Sequence, residues 1–169
     1  MARIDGSLVV CDAGPLIHLD ELGCIDLLSD MAPVIAPEIV FKETRYHRPR
    51  LQLNVIAGLT MSPITDSHSA QLAVLVDTFN LDAGETAALT LAEHHTLHMF
   101  LTDDAAARLA AESLGFRVHG TIGIIIRSIR RHLRSRQEAL DILMNIRERS
   151  TLHIARNLLN EVIAHVAAG

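Results

Sequence analysis

With 169 residues, the chain is long enough to close one sizeable core and too short for two. Its 49% hydrophobic and 21% charged content excludes an intrinsically disordered chain, and no apolar stretch approaches the roughly 20 residues of a membrane helix. The net charge of −5 argues against a protein that coats nucleic acid by bulk charge, yet leaves room for a nucleic-acid enzyme, because local charge distribution matters more than the sum.

Residues 1–7 lack the apolar region of a secretory leader, since Asp5 interrupts them, and a cytoplasmic chain is expected. Leu8-Val9-Val10-Cys11 then reads as a strand, continuous and apolar, hence buried on both faces. Gly14-Pro15 opens a helix, with proline tolerated in its first turn. Gly23 breaks it, and Ile25, Leu27 and Leu28 begin a second short helix. Residues 33–36 form a short strand, and Pro37 starts a helix over 38–44. A polar, proline-bearing loop is expected over 45–50, with a strand near 59–62. Periodicity predicts helices over 67–79 and from Glu85 to about His95, entered by the turn Leu81-Asp82-Ala83-Gly84-Glu85.

The strand starting at Leu97 is followed by an alanine-rich helix over 105–114, stopped by Gly115. A last strand covers 116–119. The helix over 121–132 should place Ile122, Ile125, Ile126 and Ile129 on its inner side, and helices over 137–149 and 152–168 complete the chain. Short apolar runs alternating with helical periodicity predict βαβ units and a mostly parallel α/β sheet.

That sheet would gather carboxylates at one edge. Asp12 closes the first strand, where open α/β sheets place their ligands; its structural alternative is a turn or helix cap. Glu43 lies in the last turn of its helix, where a negative charge opposes the macrodipole; alternatively it is an exposed glutamate beside Lys42, the only lysine. Asp82 and Glu85 have capping-box spacing, which by itself would explain Glu85. Asp103 and Asp104 open a helix that needs one cap, so the pair exceeds the structural requirement. Acids converging this way repel one another unless divalent cations neutralise them, which points to a magnesium- or manganese-dependent phosphodiesterase.

The remaining signals are weaker. Cys11 and Cys24 sit among apolar residues and are expected to pack as small hydrophobes. His94, His95 and His98 need not face one point and have no cysteine nearby, so zinc is not expected. No nucleophile elbow, P-loop or dinucleotide fingerprint occurs. A receiver-like phosphoacceptor would need a lysine near a later strand, and Lys42 lies early. Arg127, Arg130, Arg131, Arg134 and Arg136 fall within ten residues; they read either as a solvated helix end or as a phosphate contact, which arginine's flat fork suits. The apolar positions near 16–28 and 137–166 exceed what one core needs, so a homodimer is expected.

The order of these blocks resembles the PIN domain family, in particular short prokaryotic members with a C-terminal helical extension. Val9-Val10-Cys11-Asp12-Ala13-Gly14-Pro15-Leu16-Ile17 is similar to its opening block, and 35–43, ending in Glu43, to its second. Leu81-Asp82-Ala83-Gly84-Glu85 resembles the third, Leu101-Thr102-Asp103-Asp104-Ala105 the fourth, and Val118-His119-Gly120-Thr121 the last strand-to-helix turn. The resemblance implies a Rossmann-like three-layer α/β/α sandwich, with a nuclease domain over 1–135 and a helical extension over 136–169 packed on it. It implies divalent-metal-dependent cleavage of RNA, often as the toxin of a toxin–antitoxin pair with an antitoxin protein as partner. The family's acids fall on Asp12, Glu43, Glu85 and Asp104, with Asp103 as an auxiliary. Asp12, Glu85, Asp104 and Asp103 would serve Mg2+ or Mn2+, and Arg127, Arg130, Arg131 and Arg134 the nucleic acid, with Arg45, Arg48 and Arg50 reinforcing them. The family's usual threonine or serine after the first aspartate is Ala13 here. That departure motivates the alternative, a catalytically silent module that binds RNA or a partner protein.

Overall fold

The computed structural model describes residues 8–31, 33–64, 67–95 and 97–169, without the side chains of Leu97 and His98. The leader reading of residues 1–7 and the side chain of His98 therefore lie outside the described residues.

Five strands, β1 (Leu8–Cys11), β2 (Val34–Pro37), β3 (Leu59–Ser62), β4 (Leu97–Leu101) and β5 (Val118–His119), form one sheet in the order β3-β2-β1-β4-β5. Every pairing is parallel, with Val10 opposite Ile35 on one side and Phe100 on the other. The chain first winds outward from β1 to β3, then returns to place β4 on the other side of β1. The boundary between β1 and β4 is therefore the topological switch point, where a crevice opens beyond the carboxyl ends of the strands.

Helices α1 (Ala13–Glu21), α2 (Glu38–His47), α3 (Ala70–Phe79), α4 (Ala83–Glu93), α5 (Ala105–Ser113) and α6 (Thr121–Arg130) make the crossovers and outer layers of an α/β sandwich. Val10, Cys11, Val34, Ala36, Phe100 and Leu101 are fully buried between them, which is why the strands read as unbroken apolar runs. No helix among the described residues is long and apolar enough to cross a membrane.

Several boundaries differ from expectation for local reasons. The second short helix is a 3-10 turn, Ile25–Met31. Helix α2 runs to His47 instead of stopping at Thr44, because Arg48 closes it by donating its backbone N–H to the Thr44 carbonyl. Helix α6 buries Ile124 and Ile125, while Ile122, Ile126 and Ile129 are only partly covered. The long helix expected over 137–149 is two, α7 (Arg136–Met144) and α8 (Ile146–Arg149), interrupted at Asn145, whose side-chain amide donates to the Asp141 carbonyl. The last helix, α9 (Arg156–Ala168), starts four residues later than expected and leaves 150–155 as a non-helical strap.

Helix α7 packs against both α6 and α9. Ala139, Leu143, Ile146, Leu152, Leu159 and Val166 join the same core as the strands. Leu16, Leu19, Leu22, Leu27 and Leu28 are buried there too. The apolar positions that motivated the homodimer expectation are thus largely used within the chain.

Candidate active site at the carboxyl edge of the sheet

Asp12 leaves β1 as the N-cap of α1, and its Oδ1 accepts the Ala13 N–H at 2.8 Å. Its Oδ2 accepts the Thr102 hydroxyl at 3.0 Å, a bond that crosses from β4 to β1. Asp12 therefore receives a hydroxyl despite Ala13, from a residue the sequence did not single out. The carboxyl is only 6% exposed. Burial pushes its pKa up to about 7, and the charges of Glu43 and Asp82 add to the rise against the Ala13 and Thr102 hydrogen bonds.

The paired aspartates after β4 divide their work. Asp104 is the N-cap of α5, its Oδ1 accepting the Ala107 N–H at 2.9 Å, while its own N–H donates to Thr102 Oγ1. Asp103 is tied on both oxygens: Oδ1 accepts the Thr121 N–H at 2.7 Å, and Oδ2 meets the Thr121 hydroxyl at 2.6 Å and His18 Nδ1 at 2.7 Å. It bolts α1 and the start of α6 to the end of β4. Gly120 makes room for it, since a Cβ there would come within 2.5 Å of Asp103 Oδ1.

The other two acids come from the opposite side of the crevice. The capping box at the start of α4 is complete, with the Glu85 N–H donating to Asp82 Oδ1 and the Asp82 N–H donating to Glu85 Oε2. Glu85 also faces the other acids. Burial pushes its pKa up to about 7, opposed by the Asp82 hydrogen bond and reinforced by the charges of Asp82, Asp104 and Asp12. Glu43 is not paired with Lys42, which bonds Glu38 instead. Its Oε2 lies over Gly84, only 2.8 Å from where a Cβ would be, with Asp82 Oδ1 at 3.3 Å from the same point. Burial raises its pKa, with Asp82 adding and His47 opposing.

All of these acids line one cleft of about 250 Å³: Asp12, Glu43, Asp82, Glu85, Asp103 and Asp104. Gly14 and His18 of α1 complete one wall, and Thr151, Leu152 and His153 of the strap complete another. The strap is held by Glu21, whose Oε2 accepts the Thr151 N–H at 2.7 Å and the Ser150 hydroxyl at 2.9 Å. Sequence spacing assigns Asp82 only a capping role, gives Thr102 no role within its block, and does not single out His18 or His153. Their roles depend on contacts across the chain, and no local spacing announces them.

The arginines lie elsewhere. Among the described residues no arginine or lysine lines the acidic cleft. Arg127 and Arg131 both bond Asp30, at 2.8 and 2.9 Å, and Arg134 reaches both oxygens of Asp26 at 2.8 Å. Arg48 pairs with Asp20, while Arg45 and Arg50 are exposed. Thr121 and Arg130 stand at opposite ends of α6, roughly 13 Å apart at 1.5 Å per residue. Both cysteines are buried, with thiols pushed up by burial, Cys24 to about 12.

The six carboxylates offer oxygen donors of the kind that suit a hard divalent cation such as magnesium or manganese. Two members titrate near neutrality, so such a cation would relieve repulsion that protons otherwise relieve. Among the described residues no three His, Cys, Asp or Glu are already gathered closely enough to hold a metal ion.

A family model described as DUF3368: PIN domain matches residues 8–168, from the first strand to the end of α9. No curated protein matches the chain.

Proposed function

The chain belongs to the PIN domain family, and we propose that its acidic cleft is the centre of a divalent-metal-dependent endoribonuclease that hydrolyses RNA phosphodiester bonds. One observation carries the reading: six carboxylates from four separate segments meet in one cleft at the switch point of a parallel sheet. Parallel pairing of β1 and β4 already brings the Asp12 and Asp104 caps to one edge, but capping does not account for Glu43 in the same cleft.

In this reading Asp12, Glu85 and Asp104 hold Mg2+ or Mn2+ directly or through water, and Glu43 completes the site. When bound, the cation supplies charge that acidifies water and offsets negative charge developing on the phosphate. Thr102 keeps Asp12 Oδ2 turned toward Thr102 itself and the end of β4. Asp103, with both oxygens engaged, orients the surrounding backbone and is a positioning residue. The reading extends to the toxin of a toxin–antitoxin pair, for which growth arrest on expression, relieved in Asp12→Asn, is the check; a homodimer is checked by equilibrium sedimentation.

The test is a magnesium or manganese titration of wild type beside Asp12→Asn, with cleavage of a mixed RNA pool followed in parallel. Metal binding and metal-dependent cleavage should both fall by about a hundredfold or more in the variant. Unchanged turnover would sink the assignment. Among the described residues no arginine or lysine lines the cleft, which together with the alanine at position 13 favours the second reading, a silent RNA- or partner-binding module. That reading predicts RNA retention without cleavage in either ion, unaffected by Asp12→Asn.

A further inference from the structure

We propose that a second cavity, running along α6 from Gly123 to Arg131 and separate from the acidic cleft, binds a nucleoside 5′-phosphate. The cavity measures about 400 Å³, within the range of roughly 300–1,000 Å³ usual for small-ligand sites. It shares no lining residue with the acidic cleft.

Its two halves differ in chemistry as the two halves of a mononucleotide do. Met31 and Ile124, buried at 3% and 2% exposure, and Met99 give an apolar surface, and thioether sulfur packs favourably on aromatic rings. The rest of the lining is cationic: Arg117 before β5 and Arg127, Arg130 and Arg131 on α6. Asp30 engages two of these guanidiniums, Arg127 and Arg131, and among the described residues no carboxylate lines the cavity itself. The guanidiniums of Arg117 and Arg130 make no hydrogen bond or ion pair among the described residues, which leaves their donors available to phosphate oxygens.

Two further features fit. Gly123 keeps the cavity open beside His119, since a Cβ there would lie 3.1 Å from its Nδ1. Burial, followed by the charges of Arg117, Arg108, Arg127 and Arg130, holds the His119 pKa below its ordinary value. The imidazole therefore experiences a positive field that a bound dianion would cancel.

The experiment is isothermal titration in EDTA, where the acidic cleft plays no part, so its outcome is independent of the nuclease reading. The probes are AMP, adenosine and inorganic phosphate, added to wild type and to the double variant Arg117→Gln/Arg130→Gln. Both positions are exposed, so the variant should fold. AMP should bind more tightly than either fragment and weaken at least about tenfold in the double variant. Arg156→Gln, removing an exposed charge on α9, should leave AMP affinity within about twofold. Two competitors distinguish the ligand's source. Stronger competition by a 5′-phosphorylated trinucleotide than by its unphosphorylated form identifies an RNA end; no competition by either identifies a free nucleotide. No AMP binding at millimolar concentration, equal binding of adenosine, or an unchanged double variant would overturn the proposal.

Discussion

Asp12→Asn should make the protein more stable at alkaline pH while disabling it. Asp12 is buried, and its carboxyl titrates at about 7 instead of 3.8. Three pH units correspond to about 4 kcal/mol. The sign follows from proton binding: between pH 3.8 and 7 the native state holds a proton that the unfolded chain has released. Wild type therefore loses stability as pH rises through this window, and the loss is complete above about 7. Asparagine does not titrate and can still accept the Ala13 N–H, but it cannot accept the Thr102 hydroxyl through its amide nitrogen, a loss of about 1 kcal/mol. The net expectation is a variant about 3 kcal/mol more stable at pH 8 and equal to wild type near pH 4.5. Urea unfolding at both pH values in EDTA measures it. Millimolar magnesium should narrow or reverse the difference at pH 8, because only wild type gains binding energy. A variant no more stable at pH 8 than at pH 4.5, relative to wild type, would refute the claim that Asp12 is held against its charge.

Two glycines make contrasting cases. Gly84→Ala puts a methyl 2.8 Å from Glu43 Oε2, but that oxygen ends a flexible side chain. Global stability should change by less than about 1 kcal/mol, helped by alanine's helix propensity, while magnesium affinity drops about tenfold; calorimetry showing unchanged affinity would remove Glu43 from the site. Gly120→Ala meets Asp103 Oδ1 at 2.5 Å and the Thr102 carbonyl at 3.1 Å, and Asp103 cannot retreat without releasing Thr121 or His18. A loss of about 2 kcal/mol or more in urea unfolding is expected. The backbone at Gly120 has an ordinary φ of −118°, so space and not conformation demands glycine there.

Legibility tracked range. The Asp82–Glu85 box and the caps at Asp12 and Asp104 were written in spacing, because a cap bonds residues within a turn of itself. The same spacing could not say which of Asp103 and Asp104 would cap α5 and which would reach Thr121. Arg127, Arg131 and Arg134 looked available to phosphate because their counter-ions, Asp30 and Asp26, lie about a hundred residues away in the chain. Adjacency offers Lys42 as the partner of Glu43, yet neighbours in sequence point to different sides of a helix, and Lys42 pairs one turn back with Glu38.

By itself the sequence determined the alternation of strand and helix, the parallel sheet that buried apolar runs require, and the acids at strand and helix ends. Those features are set by nearest-neighbour sterics, side-chain period and the unpaired N–H groups of a first helical turn. Only the tertiary structure decided that β1 and β4 would be neighbours. That adjacency put Thr102 on Asp12, His18 on Asp103 and Glu43 over Gly84, and laid the strap beside the cleft. It also raised two carboxyls toward neutrality, because desolvation and charge repulsion depend on distance through space and not along the chain.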